Sequence, residues 1–406
     1  MRTTLTDPAR RRLAAGLILA ATPLLLALDC DAHGGAAPEP TCDEDPGTGG
    51  GPAAPLQVVF DGDDHGFDAC HAIGAGPDGG FVVAGEVTRL AEGGNAWARA
   101  YAADGAARWT YELHTPSEGR DRARALVALA DGGAVVAGQW YSGSSTRQNH
   151  FLTRLTGTGA ATWLREGELL GDDLFFGLAR DSTGALITAG FQPDPAGSGQ
   201  AWVQKLGVDG VGAAWTIVRD GARPGLDAAN AVACGADDSV VAAGVTVGAA
   251  GADGWVAKYD ADGALAWGHT LASDGAFGGE ANGVAVGPDG GVIVVGATGA
   301  AGAPGTASWI RAYTAGGEAR WKIVTTDVDV WRAVAVAGDG TVVVTGSQGP
   351  DLAVRAYDAG GVPQWQRSFP GARGNAVAVD GHGAVLVCGE ITTGGNTDAL
   401  VLKYGS

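Results

Sequence analysis

Seven short runs of β-branched and small apolar residues, each closing on glycine, divide the chain: 81–85, 134–138, 185–190, 240–244, 292–296, 342–346 and 385–389. They recur at intervals of 43 to 54 residues. Around each run apolar and polar positions alternate with period two, between DG and GG pairs that supply the positive φ of tight hairpins. Apolar spacing of helical period is almost absent. In the fourth repeat this pattern predicts strands at 230–234, 240–246, 254–259 and 265–271, joined by the turns 236–239 and 260–263. Four strands linked by hairpins are one blade of a propeller.

Self-similarity at 40 to 50 residues with strand signals alone predicts an all-β protein, a seven-bladed β-propeller of four-stranded antiparallel blades. The seventh repeat stops at Tyr404 without a fourth strand, while 55–60, ahead of the first repeat, has the fourth-strand pattern. The N-terminal strand is therefore expected to complete the last blade, closing the ring and removing edges that would template aggregation. The glycine ending each second strand marks a bulge or a close backbone approach. Large residues open most third strands (Trp97, Phe151, Trp202, Trp255, Trp309). A tryptophan stands near the start of most fourth strands (Trp109, Trp163, Trp215, Trp267, Trp321, Trp365). Such regular aromatics are expected to pack between blades rather than to bind sugar.

Three segments follow along the 406 residues. Arg2, Arg10, Arg11 and Arg12 precede an apolar stretch of about sixteen residues, 13–28, with the proportions of a secretory signal and short for a membrane span. Residues 1–29 are thus expected to be a signal peptide. Residues 30–54, rich in Gly, Ala, Pro, Asp and Glu, form a flexible acidic tether. Residues 55–406 are the propeller. Cys30, directly after the apolar stretch, resembles the lipidated first residue of bacterial lipoproteins, with Asp29 where that signal carries a small residue. The 10–13 run also bears a faint resemblance to a twin-arginine signal.

Removing residues 1–29 takes away four arginines and two aspartates, leaving 22 basic and 43 acidic residues and a net charge of −21. Such a charge opposes nucleic acid and anionic lipid and keeps an exported protein soluble. The membrane is reached only through the N-terminal anchor, and a closed ring is expected to be monomeric. Of five cysteines, Cys70, Cys234 and Cys388 fall in predicted strands and read as buried thiols. Cys70 and Cys234, three blades apart, are not expected to bridge. No CxxC and no Cys/His cluster has zinc spacing.

The stretch 254–267 (GWVAKYDADGALAW), continued by 279–291 (GEANGVAVGPDGG) and 292–296 (VIVVG), resembles the bacterial seven-bladed propeller repeat often called SBBP. The resemblance covers nearly the whole chain beyond the tether. It implies scaffold and location, an exported or envelope-attached protein, and no activity. The turn-plus-tryptophan motif is also similar to quinoprotein propellers, at structural positions only.

Propellers present functional groups at the mouth of the central channel, where first strands begin. Aligned first strands give one ring, His71, Arg124, Phe176, Asn230, Asn282, Arg332 and Asn375, as the candidate ligand site. Arg124 and Arg332 suit an anion or carboxylate, and His71 and the asparagines suit hydrogen bonding. Phe176 suits stacking or plugging the channel. Three residues earlier stand Asp68, Asp121, Asp173, Asp227 and Asp329, read as turn caps rather than a cation rim. Asp61, Asp63 and Asp68 are spaced somewhat like a calcium loop, without the closing Glu of an EF-hand. Calcium is the one metal the sequence admits, and no cofactor is expected.

The seven histidines are scattered, and no GxSxG, HExxH or P-loop accompanies them. A non-enzymatic binding or scaffold module of the cell envelope is therefore expected, its partner an extracellular or periplasmic protein, peptide or glycan. The alternative is an enzyme acting on extracellular carbohydrate or on a quinone-dependent substrate. An enzyme needs His71 and the mouth carboxylates converging on one pocket; a binding module disperses them around a rim.

Overall fold

The computed structural model describes residues 55–405, apart from 90–92, 114–118, 142–147, 168–171, 195–198, 222–224, 226, 249–250, 272–278 and 299–306. The signal peptide, Cys30 and the tether lie outside the described residues.

The described residues form 28 strands in seven four-stranded antiparallel sheets. Blade 1 comprises β2 (Ala69–Ala75), β3 (Phe81–Arg89), β4 (Gly93–Tyr101) and β5 (Ala107–Leu113). Blades 2 to 6 repeat it as β6–β9 (122–166), β10–β13 (174–219), β14–β17 (228–271), β18–β21 (279–325) and β22–β25 (330–369). Blade 7 takes β26 (Ala372–Val379), β27 (Val385–Thr393) and β28 (Asn396–Tyr404) from the end of the chain, and β1 (Leu56–Phe60) from the start. β1 runs antiparallel to β28, from Leu56 opposite Lys403 to Phe60 opposite Ala399. The seven blades and their closing strand are as the sequence pattern predicts.

The first strand of every blade packs against the first strands of both neighbours, so these seven strands are the inner wall of the ring. The apolar core is divided into seven clusters, one at each blade–blade interface. Trp97, Trp255 and Trp309 are buried in three of these clusters. Five of the fourth-strand tryptophans, Trp109, Trp163, Trp215, Trp267 and Trp321, cover the third-to-fourth-strand turn of the following blade, and Trp365 packs on Tyr404 of blade 7. Gly159, Gly263 and Gly361 sit at positive φ against the rings of Trp109, Trp215 and Trp321, where a Cβ would meet indole carbons about 3 Å away. The indole N–H of Trp215, Trp267 and Trp321 donates to Ala261, Ala315 and Ala359 of that turn, at 3.0–3.1 Å. The tryptophan stripe is packing. At ring closure Leu56 and Val58 of β1 cover the equivalent Gly105.

One expectation is corrected. Cys70 and Cys388 are not free thiols: they form a disulfide 318 residues apart in sequence. It joins β2 to β27 inside the core cluster between blades 1 and 7. The two blades meet in space because β1 closes the ring, and that adjacency is what makes the pairing possible. Cys234 stays free, and burial pushes its thiol up to about 12.

Candidate functional site

The candidate ring and the repeat glycine are two halves of one local device. In each blade the ladder between first and second strands skips one residue of the first strand: His71, Arg124, Phe176, Asn230, Asn282, Arg332 and Asn375. The residue before each skipped one faces the repeat glycine, as Cys70 faces Gly85 and Ala123 faces Gly138. A Cβ on any of these glycines would run into the first strand's backbone, most closely a carbonyl oxygen such as that of Ala69 or Arg122. The absent side chain lets the strands close in, and the extra residue is extruded as a bulge. All seven extruded residues are half-buried, at the end of the wall where the chain enters each blade.

The seven do not share one role. Asn230, Asn282 and Asn375 donate from Nδ2 to the carbonyls of Ala281, Trp331 and Cys70, at 3.0–3.1 Å. Each of those carbonyls belongs to the residue just before the next blade's extruded residue. These asparagines tie the inner strands together around the ring, so their amides are occupied within the wall. Phe176 packs on Phe191, the residue after the glycine of blade 3, with centroids 5.9 Å apart.

Most of the charged residues cluster on blades 6, 7, 1 and 2, with Glu280 on blade 5 beside them. Glu86, nearly buried after Gly85, receives Arg122 Nε at 2.7 Å and Arg120 at 3.1 Å. His71 Nε2 stands 3.5 Å from the same carboxylate. Burial opposes ionisation of Glu86, but the neighbouring imidazole and the two arginine charges outweigh it and hold the carboxyl at about 2. Burial holds His71 below its ordinary value, against the opposing pull of Glu86. Across the mouth Arg332 donates to the Ser347 hydroxyl. Arg373 lies 3.6 Å from Glu390. Burial raises Glu390 above its ordinary value, against the pull of Arg373 and Arg332, and partial desolvation raises Glu280, although the residue is exposed, against the pull of Arg332.

Glu86 sets a stability expectation of its own. A carboxyl depressed in the folded state stabilises fully above its unfolded value near 4.5 and loses that contribution as pH falls towards 2. Glu86→Gln is expected to cost about 2 kcal/mol at pH 7, discounted because Arg120 is half-exposed. The gap from the parent protein should narrow at pH 3 in urea denaturation; a gap independent of pH would show that the carboxylate is not held by its arginines.

The five aspartates preceding the ring are fixed structurally. Asp68, Asp121, Asp227 and Asp329 each accept the backbone N–H of a residue twenty positions later, at the end of the second strand: Thr88, Tyr141, Val247 and Gly349. Asp68 and Asp227 also accept from Gly62 and Gly221 in the loops leading to them. Asp173 instead takes His150 Nδ1, at 2.9 Å.

Of the proposed calcium ligands, Asp61 and Asp68 come together, and Asp398, which the sequence does not single out, joins them. Their oxygens lie within 4.8 Å of one another. Asp63 stands apart, with a 98% exposed side chain 3.8 Å from Arg89. Both Asp68 oxygens already accept backbone amides.

No family model matches the chain, and no curated protein does. Among solved structures it is similar to a structure of U3-55K, with 11% identity over 87% of this chain and 99% of that one, and a TM-score of 0.58. The RRP9 WD40 repeats match at 10% identity over 87% and 99%, TM-score 0.57. A streptogramin B lyase matches at 14% identity over 85% and 97%, TM-score 0.53. At these identities the likeness is one of fold: a seven-bladed β-propeller.

Proposed function

We propose that the chain is an exported, lipid-anchored, non-enzymatic propeller of the bacterial SBBP kind, and that it binds a protein or peptide at its channel mouth. The observation that carries this reading is the division of the mouth. The asparagines are spent on the wall, while blades 6, 7, 1 and 2 keep a half-exposed arginine-rich rim beside the Phe176–Phe191 pair. Export is supported by the basic and apolar pattern of residues 1–29 and by the Cys70–Cys388 bridge, since disulfides persist outside reducing compartments. WD40 repeats among the structural neighbours fit a scaffold role, although the lyase shows that the fold also carries catalysis.

Two observations weigh against an enzyme. A general acid or base works best near the operating pH, and Glu86, the carboxylate nearest His71, is held at about 2 by His71 itself and by Arg122 and Arg120. The other mouth carboxylates, Glu280 and Glu390, face Arg332 and Arg373 rather than His71. The reading assigns no cofactor and a monomer.

A photo-crosslinking residue at Phe176, in the native host, is expected to trap a discrete envelope partner. The same residue at His382, in a turn at the other end of blade 7, is expected to trap none. Equal trapping at both ends, or none at Phe176, would remove the mouth as the docking face.

A further inference from the structure

We propose that Arg124 anchors a carboxylate-binding subsite within this mouth, aimed by Gln139 and Gln148, and that its ligand is a peptide carboxylate carried beside an apolar side chain. The proposal rests on the mouth being the docking face and names the chemistry it selects.

Three arginines at the entry to blade 2, Arg120 in the loop before it and Arg122 and Arg124 in β6, converge near a single carboxylate, Glu86. Arg122 and Arg120 occupy Glu86 directly, and Arg124 makes no ion pair among the described residues. Its guanidinium is desolvated, and it is pushed down to about 10 by burial first and by Arg122 next, with Glu86 a partial offset. Arg332, the other arginine of the ring, differs: Glu390, Asp329 and Glu280 all favour its charge, and Ser347 accepts from it. Among the described residues Arg124 therefore has no hydrogen bond or ion pair to an acceptor that balances its charge beyond the distant pull of Glu86, in a chain whose formal net charge is −19.

Arg124 is also held in place. Its Nε donates to Gln139 Oε1 at 3.2 Å, and Gln139 Nε2 donates to Gln148 Oε1 at 2.7 Å. Gln148 Nε2 in turn donates to Tyr141 Oη at 2.6 Å. Gln139 is 2% exposed, so a buried amide has been placed where it fixes one edge of the guanidinium. Among the described residues the two terminal amino groups have no hydrogen-bond partner, and they are the pair that grips a carboxylate with two parallel bonds. The next blade contributes Phe176 against Phe191, an aromatic shelf at the adjacent ring position. A carboxylate next to an apolar group fits that juxtaposition better than a polyhydroxylated glycan, which offers neither.

The test uses 4-fluorobenzoate and its neutral isostere 4-fluorobenzamide, titrated into the protein and followed by ¹⁹F NMR. Saturable benzoate binding is expected, with benzamide at least tenfold weaker. Arg124→Gln should weaken benzoate at least tenfold, and Arg332→Gln less than twofold. Gln139→Leu should weaken benzoate several-fold while leaving benzamide unchanged, a pattern that general loosening of the mouth does not give. Arg124→Lys, which keeps the charge and loses the fork, should fall between the parent and Arg124→Gln; thermal melts establish that each variant is folded. Absence of saturable benzoate binding, equal affinity for benzamide, or an unaffected Arg124→Gln overturns the subsite. Crosslinking from Phe176 without benzoate binding defeats the subsite and leaves the docking face standing. Benzoate binding that depends on Arg124, with no crosslink, does the reverse.

Discussion

Replacing Cys70 and Cys388 together by alanine is expected to lower the folding free energy by about 4–5 kcal/mol. The bridge closes a loop 318 residues long, so opening it returns to the unfolded chain almost all the freedom a crosslink can remove. Both cysteines are fully buried in the cluster that joins the first blade to the last, with Phe81, Trp97 and Leu386. Alanine is the right replacement because a serine hydroxyl there would be buried among apolar groups. Guanidinium denaturation of the double variant should reproduce the parent protein denatured under reductant, with a much lower midpoint in both. An unchanged midpoint would mean that β1 pairing with β28 alone sets the strength of ring closure.

Gly85→Ala is expected to cost about 4 kcal/mol, near the upper end for a single methyl group. The added carbon would be driven into the Ala69 carbonyl and then meet the backbone of Cys70, and neither can rotate away as a side chain would. The strands must separate, which would undo the bulge that extrudes His71. Gly338→Ala is the matched control: its site has nothing within 4 Å and no positive φ, so the change should stay within about 0.5 kcal/mol. Chemical denaturation of the two variants side by side is decisive, because equal small losses would show the repeat glycine to be dispensable.

The blade count, the four strands of the fourth blade (to within two residues at their ends) and the closing strand were legible because they depend on local alternation and turn chemistry, which repeat seven times. The predicted 265–271 strand, for example, coincides with β17 (Leu265–Leu271). The ring of seven residues was legible as a set, since a bulge recurs at one register. What divides it was not. Asn282 and Arg124 occupy equivalent positions, yet one bonds the carbonyl of Trp331 in the next blade and the other Gln139 in its own. Gln139 carried a usable signal: the residue after each repeat glycine runs Glu86, Gln139, Phe191, Val245, Ala297, Ser347 and Glu390, polar where the mouth is charged and apolar elsewhere. Asp398 was missed because it reaches Asp61 only through the pairing of β1 with β28. The disulfide was within reach, because a ring closed by β1 makes blades 1 and 7 neighbours, and Cys70 and Cys388 then face one another.

Blade 7 draws its outermost strand from residues 56–60 and its other three from residues 372–404. A chain that emerges from N- to C-terminus therefore displays β1 for the whole of synthesis and passage before β28 exists to pair with it. Cys70 waits as a thiol for the same interval. Six blades can assemble in order as they appear, but the seal is made last, by β1 and Cys70 together, and an interrupted product can make neither closure.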